Sequence, residues 1–166
     1  EKNDGRHSVL SGGSADRVRP GRGEESWTCR RYRYDDCRVY LCDMEAGKVL
    51  ATRAFRNPQA AYGADVISRI DKIMKDKKAL FEQQSLISDA VREAGREACR
   101  LLGLSFSDVR AAVVCGNTVM EHIAAGIDPS SIANAPFTAP TLFGEYYSAA
   151  ALSFLENEHS VLYFAP

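Results

Sequence analysis

The sequence predicts an α/β fold, and three observations carry that prediction. Val39–Asp43 and Lys48–Phe55 have strand character and are separated by Met44–Gly47, a hairpin-sized loop that ends in glycine. Two stretches with apolar residues at helical spacing follow, Ala64–Lys75 and about Ala79–Leu102. The compact apolar run Val109–Cys115 then has the composition of a buried strand. An antiparallel hairpin beside a strand reached through helices is an α/β arrangement.

Taken in order, residues 1–26 are rich in Gly, Ser, Arg, Asp and Glu and lack apolar periodicity. Such a stretch cannot offset its ordering entropy and is expected to be disordered. In the first helical stretch, Val66, Ile67, Ile70, Ile73 and Met74 fall on one face, and Asp76-Lys77-Lys78 breaks the pattern. The long helix carries Leu80, Ile87, Val91, Ala94, Ala98 and Leu101 as its apolar stripe, and Gly103 is a natural stop. Gly116-Asn117 turns the buried strand into a helix of roughly Thr118–Ala125. Gly126–Leu142 holds Pro129, Pro136 and Pro140, three of the chain's six prolines, and reads as a loop. Ala149–Leu155 reads as a helical turn or two, and Ser160–Phe164 as a last strand with no room for a helix after it, so the domain reads as truncated.

Composition narrows the function classes. A chain of 166 residues, 45% of them apolar, can bury one modest core. A net charge of −1 argues against a nucleic-acid partner, which needs a basic stripe. No apolar run reaches the length of a membrane span and the N-terminus is no signal peptide, so a cytoplasmic location without a membrane partner is the expectation. The five cysteines (Cys29, Cys37, Cys42, Cys99, Cys115) form neither a CxxC pair nor an iron–sulfur spacing. Cys42, Cys99 and Cys115 are expected as small core residues.

Two segments hold the candidate site residues. Asn57, Gln59 and Asp65 bracket a Pro- and Gly-containing loop between a strand and a helix, where polar groups can face a ligand. Asp65 also suits the start of a helix, and Arg69 stands one turn on, where it can pair with Asp65. Gly116, Asn117 and Thr118 end a strand and open a helix, a geometry that turns N–H groups toward an anion; an ordinary helix cap by Asn117 explains them as well. His122 lacks a second histidine at ligand spacing and is expected at the surface, while Phe143, Tyr146 and Tyr147 are expected at a core edge or interface.

The run Asn57-Pro-Gln-Ala-Ala-Tyr-Gly-Ala-Asp-Val-Ile-Ser-Arg-Ile70, followed by Gly116-Asn-Thr-Val-Met120, Gly126-Ile-Asp-Pro-Ser-Ser131 and Ala135-Pro-Phe137, resembles the actin-like ATPase region of the reductive activators of corrinoid proteins. The resemblance covers about Val39 to Pro166. It implies a partial ribonuclease-H-like (actin-like ATPase) subdomain, with an antiparallel hairpin and flanking helices, over residues 39–166, and a disordered or divergent segment over 1–38. It further implies ATP and Mg²⁺ as cofactors, a [2Fe-2S] cluster in the full-length family outside this chain, and a corrinoid protein or corrinoid methyltransferase as partner, with a homodimer as a further option. The implied reaction returns cob(II)alamin to cob(I)alamin. Asn57, Gln59, Asp65, Gly116, Asn117 and Thr118 are then the candidates for lining the nucleotide cleft.

One stretch departs from the family. Where its members carry Asp-Ile-Gly-Thr-Thr-Thr, a phosphate loop, this chain has Trp27–Cys37, whose bulky and charged side chains suit no triphosphate. A permitted coding of Trp27–Cys37, shifted by one base, translates as Gly-Leu-Ala-Val-Asp-Ile-Gly-Thr-Thr-Thr-Val. The hypothesis is that compensating single-base shifts flank this stretch; a nucleotide sequence incompatible with that coding ends it. Two other functions are open on the sequence: a non-catalytic half-domain (a docking module or gene remnant) and an activator of acyl-CoA dehydratases from the same superfamily.

Overall fold

The computed structural model describes Ser26–Tyr32 as backbone and residues 35–166 in full. The expectations placed on residues 1–25, 33 and 34 lie outside the described residues. β1 (Ser26–Tyr32) pairs antiparallel with β2 (Asp36–Asp43), which pairs antiparallel with β3 (Lys48–Arg56). The β2–β3 turn is built as the sequence predicts. Gly47 sits at φ 63°, and the Asp43 carboxylate accepts the N–H groups of Glu45 and Ala46 at 2.9 and 3.0 Å.

After β3 come a 3-10 turn (Pro58–Tyr62), α1 (Val66–Lys75) and α2 (Lys78–Leu101). β4 (Ala111–Gly116) then runs parallel to β1, and α3 (Thr118–Ala124) follows it directly. At the far edge β5 (Glu145–Ser148) pairs antiparallel with β6 (Val161–Phe164), which is parallel to β4. The result is one mixed sheet of order β3-β2-β1-β4-β6-β5, an α/β fold with an antiparallel hairpin and flanking helices.

Strand alternation places the core. Cys37, Val39 and Leu41 of β2, Ala112 and Val114 of β4, and Leu162 and Phe164 of β6 are buried together with Ile87, Val91, Ala94 and Ala98 of α2 and Met120 and Ala124 of α3. A second cluster joins Ile70 and Ile73 of α1 to Ala79, Val119 and Ile123. Burial of Ile70 and Ile73, both at 0% exposure, stabilises α1 by roughly 1.5–3 kcal/mol per side chain. α2 ends where glycine allows it. Gly103 takes φ 68°, and the Cys99 carbonyl accepts from Leu104 N at 3.0 Å, tying off the last turn.

Several expectations change. β2 starts at Asp36, earlier than Val39, and Ser26–Tyr32, within the segment 1–38 read as disordered or divergent with a possible frameshifted first strand at 27–37, is a strand inside the sheet. Trp-Thr-Cys-Arg-Arg-Tyr shows no apolar alternation, so its strand character is set by pairing with both neighbours. β5 was not foreseen, and Ala149–Leu155 forms hydrogen-bonded turns in place of a helix. Ile67, Met74 and Leu101 are exposed, because α1 buries the narrower set Arg69, Ile70 and Ile73 and Leu101 closes α2. Cys99 is buried as expected, whereas Cys42 and Cys115 are half-buried.

Gly95, inside α2, is where helix and loop come closest: a Cβ there would stand 2.5 Å from the Phe106 ring. Gly95→Ala is expected to lower stability by about 1–2 kcal/mol in urea unfolding, the ring displacement outweighing alanine's better helix propensity.

Candidate functional site

The site candidates gather at one end of the sheet because of strand register. β1 and β4 are parallel, and their last residues, Tyr32 and Gly116, are neighbours. The end of β1 therefore lies beside the β4–α3 corner. On its other side, the N–H of Asn57, just after β3, donates to the Asp35 carbonyl at 3.0 Å. The bend at 57–65 thus starts beside Asp35 and the corner at 116–118 beside Tyr32, both at the end of the sheet where the parallel strands finish. Open α/β sheets commonly bind ligands at that end.

The bend is built by local chemistry. Asn57 is extended, as a residue before proline prefers, and its side chain accepts the Gln59 N–H at 2.9 Å to cap the 3-10 turn. Asn57 and Gln59 are 1% and 0% exposed, so their side chains lie in the wall behind the surface. Gly63 is required by close approach: a Cβ there would meet Ser68 Oγ at 2.2 Å. Asp65 is exposed and caps α1 reciprocally with Ser68, accepting its N–H at 2.8 Å. The Ser68 backbone and side-chain hydrogen bonds hold its carboxyl below the usual range.

Arg69 is where the sequence expectation changes most. In place of reaching out to the exposed Asp65, it is fully buried. Its Nε donates to the Gly63 carbonyl at 3.1 Å, and its Nη1 to Gln59 Oε1 at 3.4 Å and the Met120 sulphur at 3.1 Å. Gln59 Nε2 donates to the Gln83 carbonyl at 2.9 Å, and Gln83 Nε2 to the Arg69 carbonyl at 3.3 Å. Gln83 was not singled out from sequence; an amide one turn before Ile87 in an apolar stripe is the signal that could have found it.

At the corner, Gly116, Asn117 and Thr118 are exposed. Asn117 accepts the Val119 N–H at 3.0 Å, the ordinary cap. Gly116 N–H donates to Glu121 Oε1 at 2.7 Å, and Glu121 is 4% exposed. Burial pushes this carboxyl up to about 7, against the opposing pull of the Gly116 N–H. His122, expected at the surface, is fully buried. Its Nδ1 donates to the Thr118 carbonyl at 2.6 Å, its Nε2 accepts from Thr141 N–H at 3.3 Å, and its ring meets Phe143 edge-on. Burial lowers its pKa and keeps it neutral, so it pins the loop after α3 to the helix.

The family model for the RACo middle region matches residues 36–166. The chain belongs to this family. Two further comparisons find similar proteins. The corrinoid activation enzyme RamQ of Eubacterium limosum is 32% identical over 98 residues, 59% of this chain and 16% of that protein. A solved structure named reductive activator for corrinoid, iron-sulfur protein superposes with a TM-score of 0.83 at 29% identity, over 90% of this chain and 24% of that one. The chain thus spans a quarter or less of either relative. Among the described residues no helix is long and apolar enough to cross a membrane.

The Glu121 carboxyl gives a pH signature. Its folded-state pKa is raised from 4.5 to about 7, so its contribution to stability is full below about pH 4.5 and is lost as pH rises through about 7. Urea unfolding of Glu121→Gln is expected to gain on the unsubstituted chain between pH 5 and pH 8, by an amount on the order of 2–3 kcal/mol.

Proposed function

We propose that this chain supplies one wall of the nucleotide cleft of a reductive activator of corrinoid proteins, which uses ATP to drive return of cob(II)alamin to cob(I)alamin on a corrinoid protein or methyltransferase. The observation that carries the reading is that the 57–65 bend meets Asp35 and the 116–118 corner meets Tyr32 at one end of the sheet. The strand order β3-β2-β1-β4-β6, with β4 and β6 parallel to β1, agrees with a partial ribonuclease-H-like subdomain of the actin type. Family membership and the names of both relatives supply the substrate class.

The corner suits a phosphate-bearing ligand. Gly116, Asn117 and Thr118 are exposed at the strand end, and the Thr118 hydroxyl is available to a phosphate oxygen or a water. Mg²⁺, when bound with the nucleotide, neutralises phosphate charge, and it is held mostly by phosphate oxygens and water. Asn57 and Gln59 act from behind, keeping the bend in place. Asp65 anchors the start of α1 next to it. Among the described residues no three His, Cys, Asp or Glu side chains gather where they could hold a metal ion. The contribution proposed for this chain is nucleotide-linked closure.

Trp27–Cys37 favours a second reading, a non-catalytic docking module, since no glycine or threonine loop stands there apart from Thr28. Thermal unfolding with Mg-ATP separates the two. Ligand at a hundred times its dissociation constant stabilises the fold by about 2.7 kcal/mol, so a rise in midpoint that shrinks in Thr118→Ala is expected. No rise at millimolar Mg-ATP overturns the nucleotide reading and leaves the docking module.

A further inference from the structure

The burial of Arg69 calls for an explanation that stability does not supply. A guanidinium taken fully out of water must exchange its hydration for protein groups, which here include the Gln59 amide oxygen, the Gly63 carbonyl and the Met120 thioether. A methionine of similar length would fill the same space at smaller desolvation cost. What arginine adds is geometry: a planar fork whose N–H directions are fixed relative to one another. Here Nε holds Gly63, at the end of the 3-10 turn, while Nη1 holds both Gln59 in that turn and Met120 in α3. Met120 lies in the first turn after the Gly116–Thr118 corner.

The network closes on itself through α2. Gln59 donates to the Gln83 carbonyl, and Gln83 donates back to the carbonyl of Arg69. The Gln59 N–H is in turn held by Asn57, whose own N–H reaches Asp35 in the β1–β2 turn. One buried cation therefore spans from the wall of the bend to the helix that carries the corner.

We infer that Arg69 is a positioning residue that locks the Asn57–Gly63 bend to the Gly116–Thr118 corner, so that both sides of the site move as one unit. Its functional meaning rests on the nucleotide reading above; the mechanical coupling itself does not. Arg69 acts through Gln59, Gly63 and Met120 and is given no direct role toward a ligand.

Amide hydrogen exchange on the ligand-free chain tests the coupling. In Arg69→Met, exchange in peptides covering 57–65 and 116–122 is expected to accelerate together, by about tenfold, while residues 87–98 of α2 keep their protection. Arg69→Lys, with the charge but without the fork, is expected to fall between. Met120→Leu provides a test from the opposite side that removes only the sulphur acceptor: it is expected to accelerate exchange in 57–65, across the site from the substitution. Unchanged exchange at 57–65 in Met120→Leu, or uniform acceleration through α2 in Arg69→Met, overturns the inference and leaves Arg69 a general structural residue. Mg-ATP affinity, measured well below the melting midpoint, is then expected to weaken about tenfold in Arg69→Met. Undiminished affinity there overturns the positioning role. Coupled exchange in a chain that binds no Mg-ATP upholds the lock and removes the nucleotide reading instead.

Discussion

The parallel pairing of β1 with β4 is the constraint on which the rest of the molecule depends. It sets Tyr32 beside Gly116, and so brings the end of β1 and the β4–α3 corner, from distant parts of the sequence, to one end of the sheet. The antiparallel hairpin β2–β3 then delivers Asn57 to the same end, because β3 must run back alongside β2 to Asp36 before the chain can leave the sheet. Parallel strands need a long crossover, and the crossover between β1 and β4 contains the bend, α1 and α2. The bend and both helices are therefore packed where the site forms.

Polar groups buried at this end work against stability and in favour of geometry. Asn57, Gln59, Arg69, Gln83, Glu121 and His122 are all nearly or fully withdrawn from solvent. Such groups are tolerated when hydrogen-bonded, and they define which backbone arrangement is acceptable more sharply than apolar packing does. Away from this end, α2 meets the sheet through Ile87, Val91, Ala94 and Ala98 against Val39 and Leu41, ordinary apolar packing. Gln84, Ser88 and Ser160 are also buried elsewhere, but most of the larger polar groups gather at the end where the cleft is proposed.

Much of the fold was legible because its signals are periodic. The hairpin with Gly47, the two helices, the strand before Gly116 and the stop at Gly103 all follow from local spacing and turn chemistry. β1 was legible only as the place of a first strand that the family resemblance implies, since the residues of Ser26–Tyr32 become a strand by pairing on both sides and not by their own pattern. β5 was hidden for a similar reason: four residues with two tyrosines resemble a loop until β6 pairs with them. The site was half legible. Asn57, Gln59, Asp65, Gly116, Asn117 and Thr118 are candidates by their type and neighbours, whereas the inward turn of Arg69 and the burial of His122 and Glu121 depend on contacts more than ten residues away or on the whole layer. An arginine one turn after an aspartate reads as an ion pair in one dimension, and nothing local reveals that Gln59 and Met120 wait for it in three.

The central claim is that the bend and the corner form one wall of a nucleotide cleft. A Mg-ATP titration followed by backbone amide resonances tests it most directly. The account predicts that amides in 57–65 and 116–118 shift together and saturate with a single dissociation constant. Shifts confined to one of the two segments, or centred on another part of the sheet, would contradict it.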